Sequence, residues 1–142
     1  MEVSDVRRRL RSAIEDARRR VTERRARVDD ATRAYERFLT NIAVPAFNQL
    51  AQALVAEGYR FKVNTPGQTV RLVPDRATEE FIEFALDSEH DSPAIVARTV
   101  RGRGRRMTSS ERTIAEDLRI AELTEQDVVD VLCEELLPFL EK

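Results

Sequence analysis

The sequence predicts an α+β protein. A long, coiled-coil-like N-terminal helix and a second helix precede an antiparallel meander of four or five strands and a C-terminal helix. Three observations carry this reading. No Pro or Gly occurs from Ser4 to Phe38, while apolar residues recur every three or four positions. After Gly58 the apolar period changes to two. A last periodic run opens behind Thr124, with Asp127 at the spacing of a capping box. The chain therefore divides into an oligomerisation helix over residues 1–42 and a small α+β domain over residues 43–142.

In the first element Ile14, Val21, Val28, Tyr35 and Ile42 stand seven apart, and Ala17, Ala31 and Phe38 fall three residues after the first, third and fourth. This is the seam of a helix that packs along another helix. About 36 helical residues span about 54 Å, more than a small domain can cover on one side. The simplest partner is a second copy. Ile14, Val21, Val28, Tyr35 and Phe38 are thus expected to hold a homo-oligomer, a dimer first. Arg24 interrupts the seam, which lowers stability but can fix register. Ala17 and Ala31 fill it weakly. Glu15–Arg19, Asp16–Arg20 and Glu23–Arg27 have ion-pair spacing, each worth roughly 0.2–0.5 kcal/mol.

Thr40, Asn41 and Pro45 predict a bend or short break at residues 40–45, because proline is tolerated only near the start of a helix. The second helix runs to Glu57, with Phe47, Leu50, Ala51, Leu54 and Val55 on its apolar face and Gly58 as a left-handed cap. Tyr59, Phe61 and Val63 then alternate with polar residues up to Thr65-Pro66-Gly67-Gln68, the pattern of a type II turn. Thr69–Val73 completes the hairpin, with Val70 and Leu72 inward. Glu79–Asp87 fits either a helical or a strand face; strand is favoured because Phe and Ile suit a pleated surface. Ala94–Val100 forms the next strand. A turn over Arg101–Arg106, with Gly102 and Gly104, leads to a polar strand near Met107–Ile114. In the closing helix Val128, Val129, Leu132, Cys133 and Leu136 are read as buried, and Pro138 ends or kinks it.

Composition points to one soluble core with a solvated appendage: 35% of the residues are charged and 42% hydrophobic. Apolar runs are short, so no membrane span is expected, and the charged N-terminus is unlike a signal peptide. The single cysteine, Cys133, excludes an internal disulfide and suits a reducing, cytoplasmic setting. Lys62 and Lys142 are the only lysines; every other cation is Arg. Residues 1–42 hold twelve Arg against eight acids, whereas residues 107–142 hold ten acids against three cations. That polarity can serve an external partner or simply let one end of a protomer attract the other end.

Catalytic chemistry finds little support. His90 lies in Asp87-Ser88-Glu89-His90-Asp91, where consecutive turn residues point apart rather than toward one metal. Asp75, Glu80 and Glu83 lack the lysine continuation of a metal-dependent nuclease. Ser109 and Ser110 sit in no nucleophile turn, and Gly102 and Gly104 have neither phosphate-loop nor dinucleotide spacing. No enzyme, cofactor or metal is expected.

The strongest local feature is Arg98, Arg101, Arg103, Arg105 and Arg106 around a hairpin tip, since guanidinium groups bind phosphate oxygens bidentately. Nucleic acid is therefore the alternative partner. No aromatic residue lies between Phe84 and Phe139 to stack on bases. The basic stretches Arg7–Arg11 and Arg18–Arg27 lack the Trp, Phe and Leu content of a membrane-surface helix. The leading expectation is a non-enzymatic adaptor or scaffold that assembles through its first helix.

Overall fold

One helix dominates the computed structural model, which describes residues 1–90 and 92–141. Helix α1 covers Val3–Phe38, passes through a π-helical turn at Leu39–Ala43 and continues as α2 over Val44–Ala56. The break expected at residues 40–45 is thus a widened turn in a continuous helix. Pro45 explains it: its ring crowds the carbonyl four residues back and it has no N–H. One extra residue in the preceding turn absorbs both defects, and the Val44 N–H reaches the Leu39 carbonyl. Helix α2 ends as its glycine predicts. The Gly58 N–H donates to Val55 at 3.0 Å and the Tyr59 N–H to Leu54 at 2.8 Å, with Gly58 at φ +95°.

The meander forms one antiparallel sheet of five strands in sequential order: β1 Phe61–Asn64, β2 Val70–Pro74, β3 Phe81–Asp87, β4 Ala94–Arg103 and β5 Arg106–Glu116. Residues 81–87 are therefore strand, as favoured. Tyr59 lies outside β1 and is exposed. The first hairpin turn sits one residue later than predicted, closed by the Thr69 N–H on the Pro66 carbonyl at 3.2 Å. Gly67 at φ +57°, followed by a negative-φ Gln68, makes it type II′, whose twist suits paired strands better than type II. The β4–β5 turn is also tighter than predicted: strand pairing continues to Arg103 opposite Arg106, leaving only Gly104 and Arg105 between.

After β5 a 3-10 helix, Asp117–Glu122, leads to α3, Glu125–Leu140. The predicted capping box is present, with the Thr124 N–H donating to Asp127 Oδ2 at 2.9 Å and the Asp127 N–H to Thr124 Oγ1 at 3.3 Å. Pro138 does not end α3, which runs on to Leu140. Cys133 is exposed, contrary to expectation, because the helical phase that buries Val128, Leu132, Leu136 and Phe139 turns it outward. Val131 is buried instead, and Val55 of α2 is exposed.

All the helices pack on one side of the sheet. Phe47 of α2 meets Phe84 edge-on at 5.0 Å, and Phe61 meets Phe139 of α3 at 6.2 Å. Leu72, Ile82 and Ile95 fill the sheet side of this core. Ala31, Tyr35 and Phe38 bring the last turns of α1 into the same core, beside Ile120 of the 3-10 helix.

Tyr35 ties α1 to the first hairpin, its hydroxyl donating to the Gln68 carbonyl. Burial, helped by the nearby charge of Glu83, pushes its phenol well above the usual value of 10.0. The native state keeps the proton, whereas the unfolded chain releases it near pH 10. Stability should therefore be intact below pH 10 and fall above it. In Tyr35→Phe, denaturant titrations should show a shallower alkaline decline, with a loss of about 1 kcal/mol at neutral pH from the missing hydrogen bond. Equal alkaline slopes in both proteins would refute this assignment.

Candidate interaction surfaces

The seam predicted on α1 is divided in two by the fold. Tyr35 and Phe38 are buried in the protomer's own core, whereas Ile14 and Val21 are 40% and 49% exposed and Val28 is half-buried. The same stripe continues upward through Leu10, Val6 and Val3, all exposed. These three were legible at the same spacing but had not been assigned to the seam. From Val3 to Val28 the helix forms an arm about 39 Å long. Among the described residues, one hydrogen bond joins this stretch to the sheet domain, from Arg24 Nη2 to the Glu89 carbonyl at 3.4 Å.

Because the arm is one unbroken helix, its charges can be assigned to faces. The seam positions and those flanking them between Val3 and Val28 carry Arg7, Arg11, Arg18, Arg20, Arg24, Arg25 and Arg27, and no acid. Asp5, Glu15, Asp16 and Glu23 lie on the back. Ion pairs form there, between Asp5 and Arg8 at 4.0 Å and between Asp16 and Arg19. Farther along, Asp30 meets Arg33 at 2.5 Å. These pairs are three residues apart rather than the four anticipated. None of the seven seam-side arginines joins an ion pair among the described residues. Two such faces laid together oppose Arg to Arg in either direction; in parallel register Arg24 meets Arg24. Like charges 4 Å apart repel by about 1 kcal/mol in water and about 4 at a protein surface. The face suits an acidic surface better than its own copy.

The β4–β5 ribbon separates its five arginines. Thr99 donates to Glu135 of α3 at 3.1 Å, which fixes the helix-facing side of β4. Arg98 lies on the opposite face, where it donates to Glu83 Oε1 at 3.1 Å while Arg71 Nε donates to Glu83 Oε2 at 2.5 Å. Glu83 is buried, and Arg71 also stacks 4.1 Å over the Phe81 ring. Arg98 is therefore a structural cation. Arg101, on the helix side, is half-buried 5.9 Å from the Phe139 ring centre. Arg103 stands opposite Arg106 on that side, with Arg105 in the turn. Those three are exposed and join no ion pair among the described residues.

The remaining candidates stay apart. His90 Nδ1 lies 3.0 Å from Asp87 Oδ2, Asp91 falls outside the described residues, and no three metal-ligating side chains cluster among the described ones. Glu80 accepts the Gly102 N–H at 2.6 Å and lies 3.6 Å from Arg76, so it does not converge with Glu83 on a common cation. A Cβ on Gly102 would come within 3.1 Å of the Glu80 carboxylate, so a side chain there would require that carboxylate to shift by a few tenths of an ångström. An open groove between α1 and the 3-10 helix is lined by Ala31, Ala34, Ala121 and the exposed Leu118. Among the described residues no helix is long and apolar enough to cross a membrane. Known protein families, curated proteins and solved structures yield no match to this chain.

The Glu83 clamp supplies a direct test. Glu83→Ala leaves two guanidinium groups facing each other across β3 and should destabilise the fold by about 3 kcal/mol, whereas Arg105→Ala should change it by less than about 0.5. Chemical denaturation of both variants checks the contrast, which fails if the two lose equally.

Proposed function

We propose that this chain is a non-enzymatic interaction and assembly protein, working in a reducing compartment, whose N-terminal arm is the contact element. The observation that carries the reading is the continuity of one stripe. Residues that bury Ala31, Tyr35 and Phe38 in the domain are followed upstream by the same spacing at Val28, Val21, Ile14 and Leu10, with no core of the protomer against it. A solvated helix has no need of a stripe, and isolated helices draw most of their stability from packing an apolar face. An exposed free thiol at Cys133 also suits a reducing compartment.

A second reading rests on a separate observation. Arg103 and Arg106 face each other across the ribbon and join no ion pair among the described residues, an arrangement that is unfavourable unless an anion bridges them. Phosphates of a nucleic-acid backbone would do so. Arg101 reaches the same side, and the nearby Phe139 is buried, so sequence-independent backbone contact fits better than base stacking.

The two readings separate experimentally. Ile14→Glu with Val21→Glu should convert the full chain from an oligomer to a monomer by light scattering, with the domain's thermal melt retained; an unaltered mass would remove the arm reading. For the ribbon, Arg103, Arg105 and Arg106 changed together to Ser should abolish duplex binding that weakens with salt at a log–log slope of roughly −2.7. Wild-type protein that ignores duplex and single strands at low salt ends that reading.

A further inference from the structure

The partner of the arm can be specified from this chain's own surface. Resting on the reading of the arm as a contact element, we infer that its arginine-lined stripe docks on the outer face of α3 of a second copy. Helix α3 carries five acids, Glu125, Asp127, Asp130, Glu134 and Glu135, and no Lys or Arg. Gln126, Asp130, Cys133 and Leu137 fall in a line on its solvent side, flanked by Glu134 and Glu141. Leu137 is 57% exposed, an apolar residue with acids around it. The arm is the complement, with Leu10, Ile14 and Val21 at its centre and arginine as the one kind of charged residue on its flanks.

Part of the acidic charge is already engaged. Arg112 pairs with Glu134 at 2.6 Å and lies 3.6 Å from Glu135, and Asp127 caps its own helix. Asp130 and Glu141 form no ion pair among the described residues. A second molecule is the partner we assign, because among the described residues no hydrogen bond or ion pair joins the arm to its own α3, while the helix runs unbroken from Val3 to Ala56. A 16-residue α3 offers about 24 Å of track to an arm of about 39 Å. Unlike arm-to-arm pairing, this contact brings opposite charges together and covers apolar residues on both sides. A lipid surface is the weaker fit, since Val and Ala dominate the stripe and it has no aromatic residue.

The test is a charge exchange on the full chain, read by light scattering at low salt. Arg18→Glu with Arg25→Glu should weaken assembly about tenfold or more, as should Asp130→Arg with Glu141→Arg, and mixing the two variants should restore it. Cys133 gives an independent readout without substitution. Its modification by a thiol reagent should slow as wild-type concentration rises, and stay constant in the arm variant. If the α3 variant assembles like wild type and Cys133 is never protected, docking on α3 is overturned while the arm reading stands. If charging Ile14 and Val21 also leaves the mass unchanged, or wild type is monomeric at every concentration, the arm reading fails as well. Monomers that instead sediment with anionic phospholipid vesicles through Arg18 and Arg25 would assign the arm to a lipid surface and overturn the docking.

Discussion

A single apolar stripe on one continuous helix is divided between the protomer's core and solvent, and the rest of the architecture is arranged around that division. Below Ala31 the stripe is satisfied internally: Tyr35 and Phe38 close the core against the 3-10 helix, and α2 carries the same helix across the sheet. Above it the stripe continues with nothing of the core against it. The domain therefore anchors the arm and sets its direction. A helix of about 39 Å held at only one end has little intrinsic reason to remain helical in water. Its back-face ion pairs contribute a few tenths of a kcal/mol each, roughly enough to extend the helix but not to define what it touches.

Arginine is the default cation of this sequence, and its neighbours decide what each one does. Glu83 is buried on the helix-free face of the sheet, so it requires counter-charge, and Arg71 and Arg98 supply it from the two adjacent strands. That pairing stitches β2, β3 and β4 together across a face that no helix covers. Arg101 lies beside Phe139 instead, while Arg103, Arg105 and Arg106 are exposed and join no ion pair among the described residues. Arg98 and Arg101, three apart on β4, thus fall on opposite faces because a strand alternates, whereas Arg103 shares the face of Arg101 but lies beyond the core at the strand's end.

Much of the fold was legible because local rules agreed with tertiary ones. Gly58, the capping box at Thr124 and the period-two run at Phe61–Val63 each mean one thing, and each forms as written, whereas Ile82–Leu86 fitted both a helix and a strand and formed the strand that its Phe and Ile favour. The misreadings occurred where a local signal had two physical resolutions. Pro45 could end a helix or be absorbed by a π turn, and periodicity does not register which. Pro66-Gly67 could sit at the centre of a turn or enter it one residue later; strand twist favoured the second. Cys133 adjoins Leu132, and composition near a buried leucine suggested burial, but a rotation of about 100° per residue puts it outside. The candidate surfaces were half legible: the seam spacing was visible, whereas the separation of Arg98 from Arg103 required the Glu83 contact across strands.

The π turn before Pro45 also bears on how the arm can work. A hinge at residues 40–45 would have let a basic arm swing onto the acidic helix of its own domain, neutralising both surfaces within one molecule. Loop closure over so short a segment would make that intramolecular contact far stronger than any contact between copies. A continuous helix forbids it, because the arm's direction is fixed by the packing of Tyr35, Phe38 and Phe47 below. Opposite charges are therefore carried on one continuous body, and among the described residues no ion pair joins the arm to α3. In the proposed docking, attraction between separate molecules would bring the two charged helices together, and rigidity of this kind would turn an internal charge asymmetry into an external one.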